Sequence, residues 1–199
     1  MNFEEVKLVI KQECKDHEVK FYHGRGKTVL FADGIRSNGY FYDGNGSVEP
    51  PTLAVATNEN TFTTLVHEYC HMQQFLEQVK EWTDLSGHGQ IWDWLGGVDY
   101  SKSILDKSLK RAYAVEVDCE RRSVKQHRKW KTGIDITEYI QKANAYTMFY
   151  FYMREHRIWY KPGKEPYSIK AVWSAMPKSF TFDRDKCYNK VHELFKQCV

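Results

Sequence analysis

The texture of the chain changes once, near Asn58, and that change limits the fold more than any other feature. Before it come short β-prone runs: VKFYH, KTVLFA, GYFYD and, at 52–57, TLAVAT. They are separated by Gly24-Arg25-Gly26, Asp33-Gly34, Asn38-Gly39 and Gly44-Asn45-Gly46, and clusters of this kind signal turns. Residues 2–15 precede them, with Phe3, Val6, Leu8, Val9 and Ile10 giving the apolar side of a short helix. After Asn58 the apolar period is helical. It predicts helices at about 60–82, 102–129 and 137–157, with short ones near 167–175 and 183–197. Asn58 or Asn60 is the expected cap of the first. Residues 83–101 carry Gly87, Gly89, Gly96 and Gly97 and read as an irregular loop holding a short Trp-rich turn. The expectation is one α+β domain over 1–199: a small antiparallel or mixed sheet, then a mainly helical half.

Composition narrows the function classes. Of 199 residues, 42% are hydrophobic and 28% charged, too apolar for global disorder and long enough for a core without disulfides. The 13 Tyr, 11 Phe and 6 Trp enlarge that core further. Ala143 to Met153 is the longest apolar run, too short to span a bilayer, so no membrane partner is expected. The five cysteines are odd in number and form no C-x-x-C pair, which argues against a disulfide framework or a cysteine zinc knuckle. The opening residues, MNFEEVKLVIKQECK, are charged throughout, so no signal peptide is expected and a cytoplasmic location is the expectation.

Chemistry enters at TTLVHEYCHMQQF, which contains His67-Glu68-Tyr69-Cys70-His71. This is H-E-x-x-H on a segment already helical by its apolar period. Residues four apart lie about 40° apart around a helix, so His67 and His71 project from one face, one turn apart. Two imidazoles there can bind one Zn²⁺. Glu68 lies about 100° further round, where it reaches water beside the metal without being a ligand and serves as general base. Thr64, Leu65, Tyr69, Cys70 and Met72 are uncharged, as a helix packed beneath a metal site requires; Gln73 departs from that pattern.

A hydrolytic zinc site needs a third protein ligand and an open position. His88 lies 17 residues after His71 and has no suitable spacing. AYAVEVDCERRS, inside the helix expected over 102–129, offers Glu116, Asp118 and Glu120 among Ala112, Ala114 and Val115. Glu116 and Glu120 share a face, one turn apart. Buried carboxylates are costly unless paired or bound to metal. The E-x-x-x-E pattern supplies one carboxylate for zinc and one to hold a ligand imidazole through its free N–H. Asp118 lies about 200° from Glu116 and faces elsewhere; Glu120 is the closer rival as ligand. The plain alternative is a salt-bridged exposed face.

With these residues in hand, the chain resembles the gluzincin metallopeptidases, zincin-fold enzymes in which H-E-x-x-H is joined by a Glu from a second helix within E-x-x-x-D. The resemblance implies His67, His71 and Glu116 as ligands of one Zn²⁺ per chain and Glu68 as general base. It matches Glu120 to the supporting acid, Glu standing where the family has Asp. It implies hydrolysis of peptide bonds in a protein or peptide substrate, by a metal-bound water that Glu68 activates. It also implies that strand 52–57, just before the motif helix, is the edge strand that pairs with extended substrate. The likeness rests on about 30 residues around the two motifs and on element order over 1–130. The compact size resembles small bacterial and phage-encoded members, for which the compartment would be the bacterial or host cytoplasm.

Three further signals have plainer readings. Gly26-Lys27-Thr28 ends like a P-loop, but Phe21 stands where the first Gly belongs and a strand follows, so it reads as a turn. Residues 102–131 hold ten Lys/Arg against four acids; such a run reads first as a solvated helix face, with nucleic-acid contact the lesser expectation. It supports an alternative function, a non-proteolytic metal-binding or regulatory zincin-fold protein that engages nucleic acid or a protein partner through this basic helix. Tyr139, Tyr146, Phe149, Tyr150 and Met153 follow helical spacing and read as core. One tyrosine, or His156, is the expected oxyanion-stabilising group, and the 13 tyrosines leave that choice open.

Overall fold

The computed structural model describes residues 1–199 apart from 32, 33, 35, 45–48, 85, 86 and 88. The expected turn residues Asp33, Asn45 and Gly46, and His88, the histidine set aside for its spacing, lie outside the described residues. The chain divides into two compact units, Met1–Val79 with Lys125–Ile134, and Lys80–Val124 with Asp135–Val199. The secondary structure is α+β, a small sheet followed by a mostly helical half.

The first unit opens with α1 (Phe3–Asp16). The Asn2 side chain accepts from the Glu5 amide and Glu5 accepts from the Asn2 amide, a reciprocal cap that satisfies two otherwise orphaned donors. Val6, Ile10 and Cys14, four apart, are its buried row. Strands β1 (Lys20–His23), β4 (Gly39–Tyr42) and β5 (Thr52–Val55) form a three-stranded sheet in the order β1-β5-β4. The short β2 (Val29–Leu30) and β3 (Arg36–Ser37) pair separately, so Gly26-Lys27-Thr28 does lead into a strand.

The strand expected at the edge is the central one. β5 pairs in parallel with β1 and antiparallel with β4, Ala54 lying opposite Tyr22 on one side and Tyr40 on the other. Leu53, Ala54, Val55 and Ala56 are wholly buried, the continuous apolar run of a strand covered on both faces. The parallel β1–β5 pair needs a long crossover, and residues 24–51 supply it, so the sheet is mixed.

Helix α2 (Thr61–Leu76) carries the H-E-x-x-H motif. Its start is tied by Asn58, whose Oδ1 accepts from the Asn60 amide, and by Thr61, whose hydroxyl donates to the Ala56 and Asn58 carbonyls; Asn60 itself makes no side-chain cap. Gln78 adopts the left-handed conformation. The helix expected to reach Trp82 therefore ends at Leu76, and a separate turn, α3 (Lys80–Thr83), follows in the second unit.

The second unit holds α3, α4 (Gln90–Leu95), α6 (Ile136–His156), α7 (Lys170–Trp173), α8 (Arg184–Phe195) and most of α5 (Lys102–Trp130), whose end belongs to the first unit. The short α4 forms inside the stretch expected to be irregular. α6 starts at Asp135, which accepts from the Thr137 and Glu138 amides, and twelve of its side chains are buried. A helix buried nearly all round must satisfy its polar groups internally. Gln141 and Asn144 do so by donating to the carbonyls of Ser174, Met176, Pro177 and Ser179. The core gathers Leu105, Leu109, Ala145, Met148, Phe149 and Phe195, with Trp159 set edge-on to Trp92, Phe149 and Tyr150. Among the described residues, no helix is long and apolar enough to cross a membrane.

Candidate metal centre

His67, Glu68 and His71 lie on α2 within the first unit. The Nε2 atoms of His67 and His71 are 3.1 Å apart, with the rings nearly perpendicular at 85°. Zinc–nitrogen bonds of the usual length at a tetrahedral angle put two ligand nitrogens about 3.3 Å apart, so the pair already has the spacing of two ligands to one ion.

The tautomer of His71 is set from behind. Its Nδ1 lies 2.8 Å from Oε1 of Gln74, and Gln74 is fully buried. An amide oxygen only accepts, so the hydrogen sits on Nδ1 and the Nε2 lone pair is left to face His67. This is the arrangement by which an outer partner orients a metal-binding imidazole. The spacing rules picked out a carboxylate for that task and passed over Gln74, although it stands one turn from His71 on the same helix.

Gln73, the polar intruder, is also accounted for. Its Nε2 donates 2.9 Å to the Tyr69 hydroxyl, which donates 2.7 Å to Glu13 of α1. Gln126, on the end of α5 that belongs to this unit, donates 3.0 Å to Gln73. The back of α2 is thus pinned by a polar chain running from α1 to α5. Burial and the neighbouring Glu13 push the Tyr69 phenol well above its ordinary range, so it stays a donor.

Glu68 is 7% exposed and packs where β4 passes over α2. A Cβ on Gly39 would stand 2.6 Å from Thr64 Cγ2, 2.9 Å from the Ala54 carbonyl and 3.0 Å from Glu68 Cγ. Only a residue without a side chain lets the strand approach this closely. The contact is long-range, and the sequence pattern shows in Gly39 only a turn.

The acidic residues of α5 lie in the second unit and have separate surroundings. Asp118 pairs with Arg122 at 2.7 Å in a half-buried ion pair. Glu120 is buried and accepts 2.6 Å from the Tyr139 hydroxyl. Glu116 sits beside Tyr150, which hydrogen-bonds to it, and Tyr150 lies 3.0 Å from the Tyr146 hydroxyl. A carboxylate only accepts, so Tyr150 donates to Glu116 and accepts from Tyr146. Burial first, and then Glu116, pushes both phenols far above their ordinary range. Burial and Glu120 do the same for Tyr139. All three hydroxyls stay protonated at neutral pH. The reading of this row as one exposed salt-bridged face therefore fails for the buried Glu120, and at Asp118 only its ion pair is present, half-buried.

The remaining candidates fall elsewhere. His127 is buried in the first unit with Nδ1 3.0 Å from the Thr132 hydroxyl. His156 and His192 come together in the second unit. Cys70 and Cys119 are wholly buried, and all five cysteines are free thiols. The chain matches no protein-family model, no curated protein and no solved structure.

Proposed function

We propose that this protein is a zinc-dependent peptidase of zincin type, with His67 and His71 as two of three protein ligands and Glu68 as general base. The observation that carries the reading is the His67–His71 pair, Nε2 atoms 3.1 Å apart, with His71 held in the metal-binding tautomer by Gln74. A zinc ion bound there supplies Lewis acidity toward a carbonyl and lowers the pKa of water to near neutrality. The chain's own residues supply the rest. A Glu68 carboxylate oxygen takes the proton released as water attacks the peptide carbonyl, and passes it to the departing amine. The third ligand in this reading is Glu116, the carboxylate that the gluzincin resemblance implies. With β5 central, the substrate-pairing role passes to β4, an outer strand of the sheet among the described residues.

The direct test is Glu68→Gln. The expected protein keeps one zinc at the α2 site by elemental analysis and loses cleavage of an unstructured peptide library read by mass spectrometry. Cleavage at the wild-type rate would sink the mechanism. A second reading rests on Lys125, Arg128 and Lys129, all exposed on α5. It makes the protein a non-proteolytic module, and salt-sensitive DNA binding by metal-free protein without cleavage of the library would favour it.

A further inference from the structure

A second group of metal-ligand side chains lies wholly inside the second unit, at the junction of α6 and α8. Glu155 and His156 end α6, and His192 lies in the last turn of α8. Their donor atoms all fall within 4.8 Å of one another. The His156 and His192 Nε2 atoms are 3.1 Å apart, and Glu155 carboxylate oxygens lie 3.9 and 3.8 Å from them. We infer that Glu155, His156 and His192 bind a borderline divalent cation, Zn²⁺ or Ni²⁺, that clamps α8 to the end of α6.

Four observations carry this. First, the His156 and His192 Nε2 atoms are 3.1 Å apart, close to the roughly 3.3 Å that separates two nitrogen ligands on one tetrahedral ion. Second, His192 has its other nitrogen, Nδ1, 3.2 Å from Glu193 Oε1. A carboxylate accepts, so the hydrogen sits on Nδ1 and Nε2 is turned toward His156 and Glu155, the orientation that serves a metal-binding histidine. Third, Glu155 is itself oriented, because the Tyr188 hydroxyl donates 2.6 Å to its Oε2. Fourth, the Tyr152 ring packs against both imidazoles, 4.3 Å from His156 and 5.5 Å from His192. The donor set is two nitrogens and one oxygen. That composition suits zinc, nickel or copper and not the all-oxygen preference of calcium or magnesium. The C-terminal end of α6 adds the negative end of its backbone dipole, which favours a cation. The ligands are partly open to solvent, His156 and His192 having 36% and 24% of their side chains exposed, so an ion has a path in.

This site is independent of the one on α2. The metal-free full-length chain is titrated with Zn²⁺ alone and then analysed for metal content. The expected stoichiometry is two ions per chain. A His156→Gln/His192→Gln double variant is expected to hold one, and a His67→Gln/His71→Gln double variant is expected to hold the other. In that second variant Zn²⁺ should still raise Tm, because the ion joins two helices. Glu193→Leu, which removes the acceptor behind His192 Nδ1, should weaken Zn²⁺ binding in the same background by about tenfold, the effect of losing an orienting partner. If the double variant at 156 and 192 folds poorly, His156→Gln alone, at an exposed helix end, serves for the same measurement. Metal content unchanged by the loss of His156 and His192 would overturn the inference. One ion per chain, kept without His67 and His71 and lost without His156 and His192, would support it while removing the zinc site on α2.

Discussion

Gln74 is the residue on which the state of His71 turns. It presents an acceptor to Nδ1 from a position with no exposure to water. Gln74→Leu keeps much of the volume and removes the acceptor, so the ring is free to change tautomer or rotate. Zinc affinity at the α2 site should fall by about 10–100-fold, the usual cost of losing a partner behind a ligand imidazole. Competition with a chromophoric chelator measures this, and Gln74→Glu, which restores an acceptor, should recover most of the loss. An unchanged affinity in Gln74→Leu would mean that His71 is not held from behind in the way described.

At the scale of elements, α5 and β4 each make a checkable claim. Three donors lie close together on α5, and their surroundings separate them: Tyr150 at Glu116, Tyr139 at Glu120, Arg122 at Asp118. With Glu116 as third ligand, Glu116→Ala should cost orders of magnitude in zinc affinity, because a catalytic site normally has three protein ligands. Glu120→Ala should cost about 10–100-fold, and Asp118→Ala almost nothing. If Cys119→Ser strips the metal and Glu116→Ala does not, the third ligand is a thiolate and the gluzincin likeness fails at that position. For β4, the claim is the close pass of Gly39 over Thr64 and Glu68. Gly39→Ala forces the strand from the helix and should destabilise the protein by about 1–3 kcal/mol, the range for overpacking. A lower urea midpoint at constant slope, with reduced cleavage from the displaced Glu68, is the expected pair of results.

For the molecule as a whole, the proposed metal binding would set metal and proton in competition for the same lone pairs. Zinc at about 100 times its Kd adds about 2.7 kcal/mol of stability by mass action. Imidazole ligands must be neutral to bind, so protons displace the ion as pH falls through the histidine range near 6.5. The sign is fixed: zinc-dependent stabilisation is full above that range and lost below it. In the His156→Gln/His192→Gln background, which isolates the α2 site, the gap in Tm between zinc-loaded and chelator-treated protein should close between about pH 7 and pH 5. A gap that persists at pH 5 would point to ligands other than histidine.

What the amino-acid sequence determined alone was whatever depends on near neighbours. The 3.6-residue period located α1, α5, α6 and α8 to within a few residues, because caps and apolar faces are local. The one-turn spacing of His67 and His71 likewise sets two imidazoles side by side on any helix. Tertiary structure decided what depends on residues far apart in the chain. Strand 52–57 became central because β1 and β4 chose it from opposite sides, although its unbroken run of buried apolar residues was a readable hint. Gly39 faces Glu68 only because β4 crosses α2. The fates of Glu116, Asp118 and Glu120 diverge because each meets a different partner, two of them tyrosines of α6, and period alone cannot tell facing partners apart. The Glu155–His156–His192 group shares the same cause: helices that begin about fifty residues apart in sequence bring it together, and only packing makes them neighbours.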